Sequence, residues 1–173
     1  HMIMSFASPL GVGLTSDGEY LDIEIGHELS SASAVKRLNA VMAEGVEVVS
    51  FRKIPEEKAS NAMSLVAAAD YEVRFRDNSL PADCAFGNGL AEKWEAFCAQ
   101  NQILVTKKTK KGERELDLKP LIYETRCQED FIFLQLSAGS AENVKPELVL
   151  EAFAVFAGFT LPEFALLIHR KEL

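Results

Sequence analysis

From Gly18 to Ile25 polar and apolar residues alternate strictly, with Tyr20, Asp22 and Glu24 on one face and Leu21, Ile23 and Ile25 on the other. That is the period of a half-buried strand. Ahead of it, the run from Ser5 to Gly13 opens like a strand and is broken by Pro9, Gly11 and Gly13. Ser30 or Ser31 is placed to cap a helix carrying Ala34, Val35, Leu38, Val41 and Met42 at helical spacing, which stops near Gly45. Residues 46–54 alternate again through Val46, Val48, Phe51 and Ile54 and end at Pro55, and the alanine-rich stretch 60–69 reads as a short helix.

A second cycle follows. Tyr71 to Arg76 is an alternating strand, residues 77–88 are a polar loop, and Leu90 to Ala99 is a helix with Leu90, Trp94, Phe97 and Cys98 on one side. Residues 103–107 and 115–119 read as the arms of a hairpin, and Leu121 to Glu124 continues its second arm past Pro120. Phe131 to Leu136 is a strongly apolar strand. Pro146 suits the first turn of a helix ending at Gly158, and Ala165 to Arg170 closes the chain as a strand. With the middle strands merged, the second half reads β-α-β-β-α-β, the ferredoxin-like order. The first half reads as the same order without its first strand and helix. The expected fold is therefore α+β: a truncated ferredoxin-like half over 1–69 and a whole one over 70–173, packed as one unit.

Composition changes this picture little. The 173 residues are 48% hydrophobic and 25% charged, values of an ordinary globular chain that needs neither disulfides nor metal to fold. Cys84, Cys98 and Cys127 are widely spaced and odd in number, which speaks against a zinc site or a disulfide framework. The chain contains no apolar run of membrane-spanning length and opens on no signal peptide, so the expected location is the cytoplasm, away from any membrane. The net charge of −8 argues against a protein that coats DNA, but permits a local basic patch.

The motif around Ser5-Phe6-Ala-Ser-Pro9-Leu-Gly11, followed by Glu19-Tyr20-Leu-Asp22-Ile-Glu24, resembles the opening signature of the radical SAM-associated domain of unknown function. Further pieces match in the same order: Arg37 to Ala40, Glu44 to Val48, Ala68 to Val73, Ile103 to Val105, Lys107 to Gly112, Asp117 to Ile122, and Ile168-His169-Arg170 near the end. The ordered set spans essentially the whole chain. Two departures stand out. Pro9-Leu10-Gly11 replaces a longer two-proline loop, and the strand and helix expected ahead of Ser5 are absent, with His1-Met2 reading as a loop remnant or a cloning scar. The resemblance implies a bacterial accessory or substrate-presenting domain, itself non-catalytic, that works with a radical SAM protein in cis or in trans. It implies no cofactor in this chain, since the cluster cysteines and cobalamin site of the linked enzymes belong to other domains.

Three local features compete with that reading. Lys107, Lys108, Lys110, Lys111 and Arg114 on a hairpin tip have the charge to meet the phosphates of tRNA or rRNA, although lysines on a hairpin equally guard an edge against pairing. Tyr71 with Phe75, or Phe131 with Phe133, share a face at the spacing of an RNA-stacking sheet, and core packing explains both pairs as well. Asp22 and Glu24 share a face, but two carboxylates make a poor divalent-metal site. No nucleophile elbow or phosphate-binding glycine loop occurs, and His27 and His169 stand apart from any catalytic partner in sequence. The tail 152–157, with Phe159 and Phe164, is more apolar than a surface needs. Together with the incomplete first half, this points to self-association or to docking on a larger protein.

Overall fold

A computed structural model describes residues 3–55, 61–109, 112–139 and 142–173. In chain order the strands are β1 (Met4–Phe6), β2 (Thr15–Ser16), β3 (Leu21–Ile23), β4 (Ala68–Phe75), β5 (Leu104–Thr109), β6 (Gly112–Asp117), β7 (Ile122–Cys127), β8 (Ile132–Ser137) and β9 (Leu166–Glu172). The α-helices are α1 (Ser31–Asn39), α2 (Ala62–Leu65), α3 (Leu90–Cys98) and α4 (Pro146–Ala157). The class is mixed α+β.

The main sheet has five strands in the order β2-β9-β4-β8-β7. Its four long strands are antiparallel to their neighbours, and only β2 joins in parallel, with Thr15 opposite His169. Alternation explains which side is covered. Ala69, Tyr71 and Val73 of β4 and Ile132, Leu134 and Leu136 of β8 are buried, while Glu72, Arg74, Phe133 and Gln135 lie between them on the opposite face. Over the buried face α3 lays Leu90, Trp94 and Phe97, and α4 lays Val149, Leu150 and Phe153. The rings of Trp94, Phe97 and Phe153 meet at centroid distances of 5.0–5.6 Å, within the range favourable for tilted aromatic pairs. The indole Nε1 donates to the Thr125 hydroxyl at 3.1 Å, so this polar edge is satisfied inside the core. Gly158, at φ 81°, ends α4 in the left-handed conformation that favours glycine.

Residues 68–172 thus supply a β-α-β-β-α-β order, with one insertion. The hairpin β5–β6 is a separate two-stranded sheet and does not merge into β7. The reason is the 3-10 turn Lys119–Leu121. The Asp117 carboxylate accepts from the N–H groups of Ile103 and Lys119 at 2.9 and 3.0 Å, closing the hairpin base and redirecting the chain.

The first half departs further from expectation. Among the described residues it builds only the β1–β3 ladder and lends β2 to the main sheet; a second four-stranded unit is not seen. Residues 46–55 form no strand. The Asn39 side-chain amide takes both backbone groups of Val48, at 3.0 and 2.7 Å, in place of a neighbouring strand. The alanine-rich segment gives a helix of four residues, capped by Asn61, and the chain is already extended at Ala68. Burial of Ala69 beneath the helices outweighs the helix preference of alanine there.

Candidate functional site

Both ends of the resemblance motif converge on β9. Arg170, 151 positions beyond Glu19, is 3% exposed, and its Nη1 donates to both Glu19 carboxylate oxygens at 3.0 and 2.8 Å. The same nitrogen donates to the Ser8 carbonyl at 3.0 Å, and the guanidinium lies 5.6 Å from the centroid of the Tyr71 ring. Burial pushes the Tyr71 hydroxyl above its ordinary pKa, an effect the Arg170 charge partly opposes. Among the described residues, buried Arg170 Nε and Glu147 Oε2 find no hydrogen-bond partner. Next to this pair, His169 Nδ1 lies 2.8 Å from the Thr15 hydroxyl and Nε2 lies 3.0 Å from Asp17. Asp17 also binds Lys171, which holds its carboxyl below the usual range. These contacts clamp the loops around β2 onto the sheet edge. They are a fastening, since the charges are spent on one another.

The other motif residues orient the β1–β3 ladder. Ser5 and Asp22 sit opposite each other on one face; the Ser5 hydroxyl donates to Asn61, and the Asp22 carboxylate accepts from the Ala62 N–H at 2.7 Å. Asp22 therefore binds the first turn of α2, while Glu24 is exposed and its N–H donates to the Ile3 carbonyl. Both faces of the ladder are used. Ser5 and Asp22 point toward α2, while Met4, Phe6, Leu21 and Ile23 share the other face, on which Ile23 meets α1 and Phe6 stays 47% and Leu21 42% exposed. Tyr20 is exposed, Pro9 lies on the surface, and Gly11 packs near Leu14. Ile23 continues into a groove of about 450 Å³, walled by Ile25, Leu29, Leu38, Val41 and Phe51, with Arg37 its charged member. The alternation gives no sign of this groove, since its apolar walls read as ordinary core positions.

A family model described as an uncharacterized protein conserved in bacteria (DUF2344) matches residues 1–146. The chain belongs to DUF2344. Neither the curated proteins nor the solved structures give a match. The matched stretch contains Ser8, Glu19 and the whole apolar face of this DUF2344 chain, while Arg170 lies beyond it.

The remaining sequence candidates of the DUF2344 chain do not assemble into a site. The Lys107 ammonium donates to the Asn143 carbonyl at 3.0 Å, and Arg114 pairs with Glu142, whose carboxyl it holds below the ordinary range. Lys110, Lys111 and the side chain of Lys108 lie outside the described residues. Tyr71 is buried and Phe75 packs on Phe86, so neither offers a stacking surface. Phe131 and Phe133 do reach the open face, each with a guanidinium over its ring at 4.8 Å, from Arg74 and Arg126. Asp70, Glu72, Glu124 and Asp130 bond to Gln135, Arg74 and Arg126 across that face, setting carboxylates against phosphate. His27 is exposed. Among the described residues, no three His, Cys, Asp or Glu side chains converge as metal ligands, and no helix is long and apolar enough to cross a membrane.

The three cysteines are free, Cys84 buried and Cys98 and Cys127 half-buried. Burial pushes the Cys98 thiol up to about 11. At pH 8 only about one molecule in a thousand then carries the Cys98 thiolate, the reactive form. Alkylation of the native chain followed by mass spectrometry is expected to leave Cys98 unmodified until denaturant is added. Rapid labelling in the folded state would contradict this placement.

Proposed function

We propose that this chain is a non-catalytic accessory domain that docks on a larger protein through the outer face of its β1–β3 ladder. The resemblance in the sequence makes that protein a radical SAM enzyme. The observation that carries the reading is the exposed apolar face of the ladder, where Met4, Phe6 and Leu21 remain 42–47% accessible. An apolar sheet face is stabilised only when it is covered, and here only the Ile23 end of that face meets α1 while the polar face is bonded to Asn61 and Ala62. Residues 68–172 bury most of their apolar positions against their own helices, although Val155, Phe156 and Phe164 stay exposed. RNA binding through the basic hairpin is the weaker reading, because Lys107 and Arg114 are already bonded within the chain.

The test is co-expression with a radical SAM protein encoded beside it, followed by sizing with light scattering. Phe6→Ser with Leu21→Ser is expected to weaken the complex at least tenfold while the melting temperature stays within about 2 °C, as for exposed positions generally. Glutamate at Lys107, Lys108, Lys110 and Lys111 is expected to leave the complex intact. Loss of the complex with the lysine variant and not with the apolar one would sink the proposal. A salt-dependent RNA shift abolished by those glutamates would put RNA binding in its place.

A further inference from the structure

We infer that the chain pairs with a second copy of itself along the outer edge of β7, extending the main sheet across a two-fold axis at Thr125. This interface is separate from the docking reading above, which uses the β1–β3 ladder. β7 is the end strand of the main sheet on the side away from β2, and among the described residues no strand lies against its outer edge. The turn after β7 fixes which backbone groups face that edge. Gln128 N–H donates to the Phe131 carbonyl at 2.8 Å, and Arg126 and Glu124 follow at alternate positions, opposite Phe133 and Gln135. Antiparallel ladders alternate, so these residues bond inward to β8, while Thr125 and Cys127 turn their N–H and C=O groups outward. Such a row is a template for a further strand.

Charge complementarity names the strand that fits. Glu124 and Arg126 are the charged residues of β7, both about half exposed and 3.3 Å apart along the strand. The Arg126 guanidinium also lies over the Phe133 ring at 4.8 Å, which holds it in place on the open face. With a second copy antiparallel and Thr125 opposite Thr125, the two threonines exchange backbone bonds. Glu124 of each copy then falls opposite Arg126 of the other. Those pairs occupy the positions without backbone bonds, where facing side chains come closest. Neighbouring registers lack the match. An axis at Cys127 sets Glu124 against Asp130, and an axis at Tyr123 sets Glu124 against Ile122 and Arg126 against Pro120. Charges on an edge strand ordinarily turn neighbours away. Here each charge is answered by the other copy, and two-fold symmetry makes every favourable pair twice. A foreign strand meets the same demand only if it carries an acid and a base at this spacing. The bulge between Ile122 and Glu124 keeps the contact short, so the dimer is a weak one.

Sedimentation equilibrium on the full chain is expected to show monomers and dimers exchanging at micromolar concentrations. Glu124→Arg and Arg126→Glu, each alone, set like charges against each other at both pairs and are expected to weaken the dimer about tenfold or more. An equimolar mixture of the two variants is expected to restore association, because a strand with two arginines then faces a strand with two glutamates. Melting curves check that both variants fold. A dimer weakened by both variants without recovery on mixing would overturn the register at Thr125. A chain that stays monomeric up to high micromolar concentration would overturn the pairing itself. So would a dimer that both charge variants leave intact and that Phe6→Ser with Leu21→Ser abolishes, since the ladder face would then join the copies.

Discussion

Arg170→Met is expected to lower the melting temperature by about 6–12 °C and to free the loops of residues 7–19 for proteolysis. The substitution keeps the apolar stem and removes the guanidinium. Glu19 then loses a partner that bonded both of its oxygens, and the buried Ser8 carbonyl loses its donor. Removing one member of a buried pair costs about 3–5 kcal/mol because the other is left uncompensated. The Glu19 side chain keeps 26% of its surface in water, which screens the residual charge, so the lower end of that range applies here. At roughly 2–4 °C per kcal/mol for a chain of this size, about 3 kcal/mol gives the stated shift. Adding Glu19→Leu should recover part of the loss, since replacing both charges by apolar groups is far less costly than orphaning one. Thermal melts of the single and double variants decide it. A single-variant shift below 2 °C would show that the clamp contributes nothing to holding the two ends of the chain together.

This clamp is the least legible feature in the sequence, although Glu19 and Arg170 both belong to the resemblance motif. An arginine closing the apolar run from Ala165 signals a buried charge, and a buried charge requires a partner. Nothing in local spacing says that the partner is Glu19. Conversely, α3, α4 and β8 were readable because their apolar periods are strong and their own packing decides them. Where a period is weak the outcome was set from outside the segment. Residues 46–54 have the alternation of a strand, but Asn39 occupies the backbone groups of Val48 and no strand lies alongside. For residues 21–25 the period holds, and both faces meet the protein in part. Alternation says that two faces differ and leaves open what each one meets; for the polar face that is Asn61 and Ala62, about 40 positions away. The same gap hid the groove, because its walls are apolar residues that would ordinarily be counted as core.

Phe153→Ala is expected to lower the melting temperature by about 8–16 °C, while Phe6→Ala leaves it within about 2 °C. Phe153 is fully buried, and its ring touches those of Trp94, Phe97 and Phe159 at 5.0, 5.6 and 6.0 Å. Truncation removes the transfer free energy of the ring and leaves a cavity that three rigid aromatics and the sheet beneath cannot collapse to fill. Such changes cost about 3–5 kcal/mol, and a value near 4 gives the stated shift. Phe6 has the same chemistry in the opposite setting, half exposed on the ladder face that the described residues cover only at its Ile23 end. Its truncation in the free chain forfeits little burial, so its effect is reserved for the complex. The two variants therefore separate the apolar surface that folds the chain from the apolar surface that docks it. If calorimetry showed Phe6→Ala to be as damaging as Phe153→Ala, the ladder face would belong to the core, and the docking proposal would fall with it.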